Sequence, residues 1–349
     1  MMKPVLSINI LCSGRPETIK CIKALDSLRQ AVDCELIITD TGCDDGLRSQ
    51  LEEMADKVID FEWCNDFSTA RNAGLAKAAG DWFMYVDDDE IFDEDISNIT
   101  EFFVSDEYKS YDCASYFQRN FRDFEGNSFS DIAVLRLARI SEDLKFKGMI
   151  HEYLTVDGGY HKLLSAHVKH FGYVSADAES VNRRMARNIP LLLKMMEEEP
   201  GNSRWPAHLA QELRAAGDLK ALYDLCSLML AKTKDSDDSN TVLARNTFYA
   251  GRSIGAAGVC QLPEKIALIE QALKDERING VTRAFLLSYG CELYFKAGMS
   301  DKCLTAGREY MRLYEIYKAD AERLADETVI FTDVTFDEAH LRYIKKYIM

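Results

Sequence analysis

Four short apolar runs, each followed by a different periodicity, constrain this chain more than any other feature. The runs are VLSINIL (5–11), CELIITD (34–40), KVIDFEW (57–63) and WFMYVD (82–87). Between them, residues 16–32 set Ile19, Ile22, Leu25 and Leu28 at helical spacing behind Pro16. Residues 47–55 predict a second helix, and residues 67–80 a third that ends at Gly80. Parallel neighbours need a long crossover, which a helix supplies. The alternation therefore predicts a parallel α/β sheet with short loops. In open sheets of this kind the strand C-termini gather at one edge, and ligands bind there.

Beyond this region the pattern changes twice. Residues 111–174 contain shorter, mixed strand runs separated by polar loops. From 177 onward the chain is helical, and residues 209–230, 247–273 and 285–311 each read helix, turn, helix, with turns expected near Gly217, Gly258 and Gly298. One helix pair cannot hide its apolar face alone, so successive pairs stack, as in a short tetratricopeptide-type array. KTKDSDDSN (232–240) reads as a solvated spacer, and the last stretch, from Thr328, as a strand-like run and a closing helix.

The stretch YVDDDEIF (85–92) sets Asp87, Asp88, Asp89 and Glu90 side by side directly after an apolar strand. The plainer reading is a polar turn capping the next helix. Against it stand the density of carboxylates and their place at the ligand edge of the sheet. Oxygen ligands in that position suit a hard divalent cation, Mg2+ or Mn2+, which cancels their repulsion. Such an ion would bridge a diphosphate and stabilise the charge that develops as it leaves. The composition makes a local cation necessary. With 42 Lys and Arg against 58 Asp and Glu the net charge is −16, a field that repels nucleic acid and anionic lipid. A phosphate-bearing ligand then needs a metal or a well-placed Arg.

Other residues suit the same edge. Asp40 ends the second strand, where a carboxylate can accept from a base N–H or a ribose hydroxyl. Asp44 and Asp45 in the turn after it read equally well as turn-forming side chains. In DFSTARN (66–72), Arg71 and Asn72 stand early in the helix leading to the acidic strand, and Arg71 can pair with a phosphate or with the acidic cluster itself. The ten cysteines form no C-x-x-C pair and no zinc-type spacing, so they read as small buried hydrophobes in a reducing compartment. The first residues make a poor signal peptide, and no stretch approaches the ~18 apolar residues of a membrane helix. The expectation is a soluble, cytoplasmic protein.

LIITDTGCDD, FEWCNDFSTARNAGLAKAAGDW and YVDDDE together resemble the family 2 glycosyltransferases of the GT-A fold. FKGMIHEYL (146–154), HVKHFGYV (167–174) and NRRMARNIPLLLKMMEEEPGNSRW (182–205) extend the likeness to a subgroup with a tetratricopeptide-like C-terminal domain, which includes peptide S-glycosyltransferases. The resemblance implies a GT-A (Rossmann-like) α/β domain at 1–175, with a donor-binding half (1–100) and an acceptor half (101–175). An all-α helical-repeat domain at 176–325 and a strand/helix extension at 326–349 follow.

It also implies a metal-dependent, inverting transfer of sugar from a nucleotide-diphosphate donor, a UDP-sugar, to a peptide, protein or glycan, with Mn2+ or Mg2+ as cofactor. A homodimer through the C-terminal domain is a further expectation. Asp87 and Asp89 occupy the family's D-x-D positions, the first toward ribose or metal and the second on the metal. Asp88 joins Asp87 in the donor site, Asp40 sits by the nucleobase, and Arg71 lies near the pyrophosphate. His170 stands where a metal- or phosphate-contacting His occurs. Glu152 stands where the catalytic base does, while His151 either serves instead or orients it. Two departures bear on the nucleoside contacts: Cys43 stands where a Ser is common, and the first loop reads CSGRPE.

Two other classes fit less of the chain. A sugar-1-phosphate nucleotidyltransferase needs a glycine-rich loop with a Lys after the Pro, but SGRPE has only Gly14, and Glu17 takes the place of the Lys. A non-catalytic repeat protein has no use for an intact Asp87-x-Asp89.

Overall fold

The computed structural model describes residues 3–92, 96–121, 123, 125–126, 129–156, 158–171 and 178–348. The chain divides into two compact units, Met1–Ala176 and Asp177–Met349.

The first unit opens with β1 (Leu6–Cys12), α1 (Thr18–Ala24), α2 (Asp26–Ala31), β2 (Cys34–Asp40), α3 (Asp45–Met54), β3 (Lys57–Asp60), α4 (Phe67–Leu75) and β4 (Trp82–Asp87). It continues through β5 (Glu90–Phe92), α5 (Ser97–Val104), β6 (Cys113–Phe121), β7 (Phe129–Arg139), β8 (Phe146–Lys147), β9 (Tyr153–Leu154) and β10 (His161–His170). Among the described residues, eight strands form one sheet in the order β3-β2-β1-β4-β7-β6-β10-β5, and β8 pairs with β9. The half made of β3, β2, β1 and β4 is parallel. β7 then joins β4 and β6 antiparallel, β10 joins β6 parallel, and β5 closes the edge antiparallel to β10. This mixed sheet, with its parallel N-terminal half, is the GT-A architecture.

β1 is buried along its whole length, as expected of a strand covered on both faces. Its polar residues are paired inside. Ser7 Oγ donates to Glu35 Oε1 at 2.6 Å, and Asn9 Nδ2 donates to Ile37 O and Thr39 Oγ1, both at 3.1 Å. Several boundaries differ from those expected. The helix over 16–32 breaks at Leu25, which is fully buried, and Asp26 starts a new turn. The helix expected to reach Gly80 ends at Leu75, and the third strand stops at Asp60. β6, β7 and β10 run nine, eleven and ten residues, longer than the short strands expected there.

The second unit is helical: α6 (Ala178–Glu198), α7 (Arg204–Ala215), α8 (Leu219–Lys232), α9 (Ser239–Val259), α10 (Leu262–Ala272), α11 (Gly280–Lys296), α12 (Ser300–Lys318), α13 (Ala321–Glu327) and α14 (Glu338–Ile348). Successive helices pack around one core that includes Leu222, Cys226, Phe248, Leu286, Cys291 and Tyr310. Gly217 and Gly298 make the left-handed turns (φ 72° and 70°) that close α7–α8 and α11–α12. No described residue of 328–337 is in a strand, which corrects the strand-like reading of that segment. Its β-branched residues build turns instead. Thr332 N bonds to Val329 O at 3.0 Å, Val329 N to Thr332 Oγ1 at 2.9 Å, and Tyr310 OH to Thr335 O at 2.7 Å. No helix among the described residues is long and apolar enough to cross a membrane.

Gly258 is also not a turn residue, because α9 runs through it. With Gly251 and Gly255 it forms a small-residue stripe at spacings of four and three, and the stripe lies against α8. A Cβ on Gly251 would meet Cys226 Sγ at 2.8 Å, on Gly255 the Tyr223 backbone N at 2.7 Å, and on Gly258 Leu219 Cβ at 2.8 Å. These glycines exist for close approach, since a side chain would push α8 away. Ala is the better helix former by about 1 kcal/mol, yet Gly255→Ala is expected to destabilise the protein by about 1–3 kcal/mol through overpacking. Urea unfolding measures the balance, and a more stable variant would show that α8 does not lie against this stripe.

Candidate active site

The strand registers bring carboxylates to one edge. Cys12, the last residue of β1, is opposite Asp40 of β2, and Leu11 is opposite Asp87 of β4. Asp40 and Asp87 therefore flank the end of β1 on either side.

Asp87 is held by two arginines. Arg71 of α4 pairs with Oδ1 through Nη2, and Arg136 of β7 donates Nη2 to Oδ2 at 2.8 Å. Arg71 also donates Nε to Glu152 Oε1 at 2.5 Å, and Arg136 pairs with Glu90. The result is a continuous ion-pair chain, Glu152–Arg71–Asp87–Arg136–Glu90. Both guanidinium carbons lie against the Tyr85 ring, at 4.8 and 4.5 Å from its centroid, within cation–π range. Burial works against ionisation of Asp87, but Arg136 and Arg71 outweigh it and hold its carboxyl far below the usual range. Two guanidiniums face three carboxylates, and the imbalance falls on Glu90. Fully buried, its carboxyl is pushed up to about 7 despite Arg136.

Local sequence explains how these groups arrive. Asp66 caps α4 by accepting from Thr69 N at 3.0 Å, which fixes the start of the helix that carries Arg71. The next residue, Asn72, clamps β8: its Nδ2 donates to Phe146 O at 3.0 Å, and its Oδ1 accepts from Phe146 N at 2.8 Å. Phe67 N adds a bond to Met149 O at 2.9 Å. The loop after β8 is thus fastened to α4, and Glu152 is delivered to Arg71. His151 turns that loop with a left-handed backbone, φ 52°, a conformation that costs a non-glycine residue about 1 kcal/mol or more.

Arg136 arrives by a β-bulge. Ala114 pairs with Leu137 but Ser115 with Leu135, so β7 carries one extra residue there, Arg136. Bulges re-aim a side chain next to functional sites.

Asp88 and Asp89 form the turn between β4 and β5, and they face different ways. Asp88 is buried, and its Oδ2 accepts from Ser13 N at 2.8 Å and Ser13 Oγ at 2.7 Å, tying the turn to the loop after β1. Burial raises its carboxyl pKa. Asp89 faces Arg15, with which it pairs, and His170 of β10, whose Nε2 lies 3.8 Å from Asp89 Oδ2. His170 Nδ1 is 2.7 Å from Asn120 Oδ1. With an amide oxygen as partner, Nδ1 is the donor in that bond. Burial, ahead of the opposing Asp89, lowers the His170 pKa.

This donor pair fits a divalent cation. An imidazole nitrogen oriented by an amide oxygen is the arrangement metal-binding His residues adopt. Among the described residues, however, no three His, Cys, Asp or Glu side chains converge as a metal group. The expected trio of Asp87, Asp89 and His170 is therefore not assembled, because Arg71 and Arg136 hold Asp87. Asp89 and His170 are the residues that would hold a cation here, and it would supply positive charge beside a phosphate-bearing ligand.

Asp40 is also occupied locally. Its Oδ1 accepts from Gly42 N at 2.9 Å and Cys43 N at 2.8 Å, and its Oδ2 from Arg48 at 3.0 Å. Burial would raise its pKa, but these bonds, led by the Cys43 N–H, lower it. Asp44 caps α3 through Leu47 N. Arg136, Arg15, Asn120 and Tyr85 carry no motif that marks them in the sequence. The one available signal was Arg136, a charge inside the apolar run AVLRLA, which must find a buried partner.

Residues 15–159 match the family described as Glycosyl transferase family 2, so the first unit carries a glycosyltransferase domain of that family. Among curated relatives, glycosyltransferase SunS from the SPbeta prophage of Bacillus subtilis is 25% identical over 223 residues, covering 60% of this chain and 49% of that one. A TPR repeat-containing protein of Synechococcus elongatus is 41% identical over 68 residues, 20% of this chain and 17% of its own. The chain spans about half the length of the SunS relatives it matches. Among solved structures, S. aureus TarS covers 90% of this chain and 91% of its own, with 12% identity and a TM-score of 0.36. TarS in complex with UDP-GlcNAc aligns with a TM-score of 0.38 and 13% identity, over 90% of this chain and 92% of its own.

Because Arg136 neutralises two carboxylates, removing it leaves buried charge without a partner. Arg136→Ala is expected to cost about 3–5 kcal/mol of stability. Adding Glu90→Gln, which deletes the carboxylate left most exposed to this loss, is expected to restore about 1–3 kcal/mol. Denaturant unfolding of the two single variants and the double variant checks this, and strictly additive losses would mean that Arg136 and Glu90 are not coupled.

Proposed function

We propose that this chain is an inverting glycosyltransferase that moves a sugar from a UDP-sugar to an acceptor on a peptide or protein, with Mn2+ or Mg2+ bound at the donor diphosphate. The observation that carries the reading is the ion-pair chain from Glu152 through Arg71 to Asp87, set at the C-terminal edge of the sheet in a family 2 domain.

The chain's own residues divide the work. Arg71 is buried, at 4% exposure, and its Nη1 has no hydrogen-bond partner among the described residues. That atom is itself buried, so Arg71 contributes its charge beside the diphosphate and fixes Asp87 for the ribose side of the donor. Asp89 and His170 would hold the cation, which when bound offsets the negative charge of the leaving diphosphate. Asp40 serves the nucleoside end through the turn it organises, and Asp88 through the Ser13 loop. Arg71 engages Glu152 through Oε1, which leaves Oε2 to take the acceptor proton as the nucleophile attacks the anomeric carbon opposite the departing UDP. His151 sets the loop conformation that presents Glu152. The helical repeats suit an extended peptide or protein acceptor, since stacked helix pairs build long binding surfaces.

A panel of UDP-sugars with and without Mn2+ tests the reading. One of them should raise the thermal midpoint only when Mn2+ is present and should be slowly hydrolysed. Loss of a general base typically costs about 10²–10⁴ in rate, so Glu152→Gln should lower kcat on that scale while donor affinity changes little. Wild-type turnover in Glu152→Gln would remove Glu152 as the base. Failure of every nucleotide sugar to bind would remove the transferase reading itself.

A further inference from the structure

The thiol of Cys43, in the turn after β2, has no task in the proposed reaction. The strand register decides what that thiol meets. Cys12 ends β1 opposite Asp40, and its carbonyl accepts from Thr41 N at 3.0 Å and Thr41 Oγ1 at 2.8 Å. The turn at 41–44 is thus fastened over the end of β1. It lies so close to the loop after β1 that a Cβ on Gly14 would meet Gly42 O at 2.9 Å. Cys43 Sγ comes to 3.2 Å from Cys12 Sγ. The two thiols differ in access. Cys12 is fully buried, while Cys43 is half-buried and reaches solvent. Cys43 also bears on the proposed nucleoside end, because its backbone N–H holds Asp40 Oδ1 at 2.8 Å. α11 and α12 carry a second close pair, Cys291 and Cys303, with sulfurs 3.3 Å apart, but both of these are buried.

We propose that Cys12 and Cys43 are a modification site: a low-molecular-weight disulfide oxidises them to an intrachain disulfide, which weakens nucleotide binding by displacing the turn that holds Asp40. The effect on binding rests on the reading of Asp40 as the nucleoside end. In the exchange the accessible Cys43 sulfur attacks one sulfur of the reagent, and a first small thiol leaves. The Cys12 sulfur then attacks Cys43 Sγ, the bond between them forms, and the second small thiol leaves. The reagent is reduced, the pair is oxidised, and the two cysteine protons depart on the two small thiols. Bonded sulfurs stand about 2.05 Å apart, so the pair must draw together by about 1.2 Å. Cys12 ends a strand paired with neighbours on both sides, so the movement falls on Cys43. That shift disturbs the bond from Cys43 N–H to Asp40, and hydrogen bonds to an ionised group are the strong ones. Burial, with Cys12 and Asp40 beside it, raises the Cys43 thiol pKa. Only the thiolate attacks, so the exchange is slow and the pair is guarded against brief exposure.

The test uses the whole protein, incubated with oxidised glutathione at about pH 8.5, near the ordinary thiol pKa, and then freed of reagent. Peptide mass mapping without reduction should find Cys12 joined to Cys43, with Cys291 and Cys303 still thiols. UDP with Mn2+ should bind the oxidised protein about three- to tenfold more weakly, and dithiothreitol should restore the affinity of untreated protein. Cys43→Ser should keep after treatment the affinity it has before. Absence of the Cys12–Cys43 bond overturns the proposal. So does its appearance only together with oxidation of Cys291 and Cys303, which would mean that the chain opens to react. A Cys12–Cys43 bond with unchanged UDP affinity, or an equal loss of affinity in Cys43→Ser, overturns the effect on the Asp40 turn. If untreated protein binds no nucleotide, the transferase reading fails and the claim of weakened binding fails with it, while the Cys12–Cys43 bond is still read in the peptide map.

Discussion

The ion pairs that Arg71 and Arg136 make with Asp87 are the interaction on which the rest of the first unit depends. β4 ends its apolar run in carboxylates at the centre of a sheet, where an isolated charge costs several kcal/mol. The fold resolves this by bringing cations from both sides. One comes from α4, in the parallel half, and the other from a bulge in β7, in the antiparallel half. The same two arginines bind Glu152 and Glu90, so the loop after β8 and the start of β5 are anchored to the end of β4. Fold stability and site geometry are one network here, and its charge balance is nearly closed before any ligand arrives.

The two halves of the sheet contribute different things. The parallel half supplies strand ends in register, Asp40, Cys12 and Asp87, as an open α/β sheet does. The antiparallel half supplies residues that close the site from across the sheet. Asn120 of β6 pairs in register with His170 of β10, and His170 with Glu90 of β5. That alignment places His170 against Asp89, one residue before Glu90, even though the two are far apart in sequence. In the proposed reaction, groups held this way let charge stabilisation act without rearrangement.

Much of the first unit is legible in the sequence because its signals are local. The runs at 5–11, 34–40 and 82–87 are strands because they are apolar throughout, and α3 and α4 start where Asp44 and Asp66 cap them. What the sequence conceals depends on contacts distant along the chain. A bulge leaves no periodicity signal, so Arg136 looks like an interruption in an apolar strand. Asp88 looks equivalent to Asp87 and Asp89, yet the turn between β4 and β5 sends it inward to Ser13. In the second unit Gly258 looks like a turn, because a glycine needed for close helix packing and a glycine needed for a left-handed backbone are the same letter. The segment after Thr328 has strand-like composition, but its residues pair among themselves and with Tyr310. β propensity reflects fit to a pleated, half-buried surface, which that segment is not offered.

The central claim is that this carboxylate edge binds a nucleotide through a cation, with arginines holding the site in balance before it arrives. A crystal grown with UDP and Mn2+, measured at the manganese absorption edge, tests it most directly. The account predicts an anomalous peak between Asp89 and His170 at ligand distances of about 2.2 Å, with UDP phosphate oxygens on the ion and Asp87 still between Arg71 and Arg136. A nucleotide bound elsewhere, or manganese found away from Asp89 and His170, would contradict it.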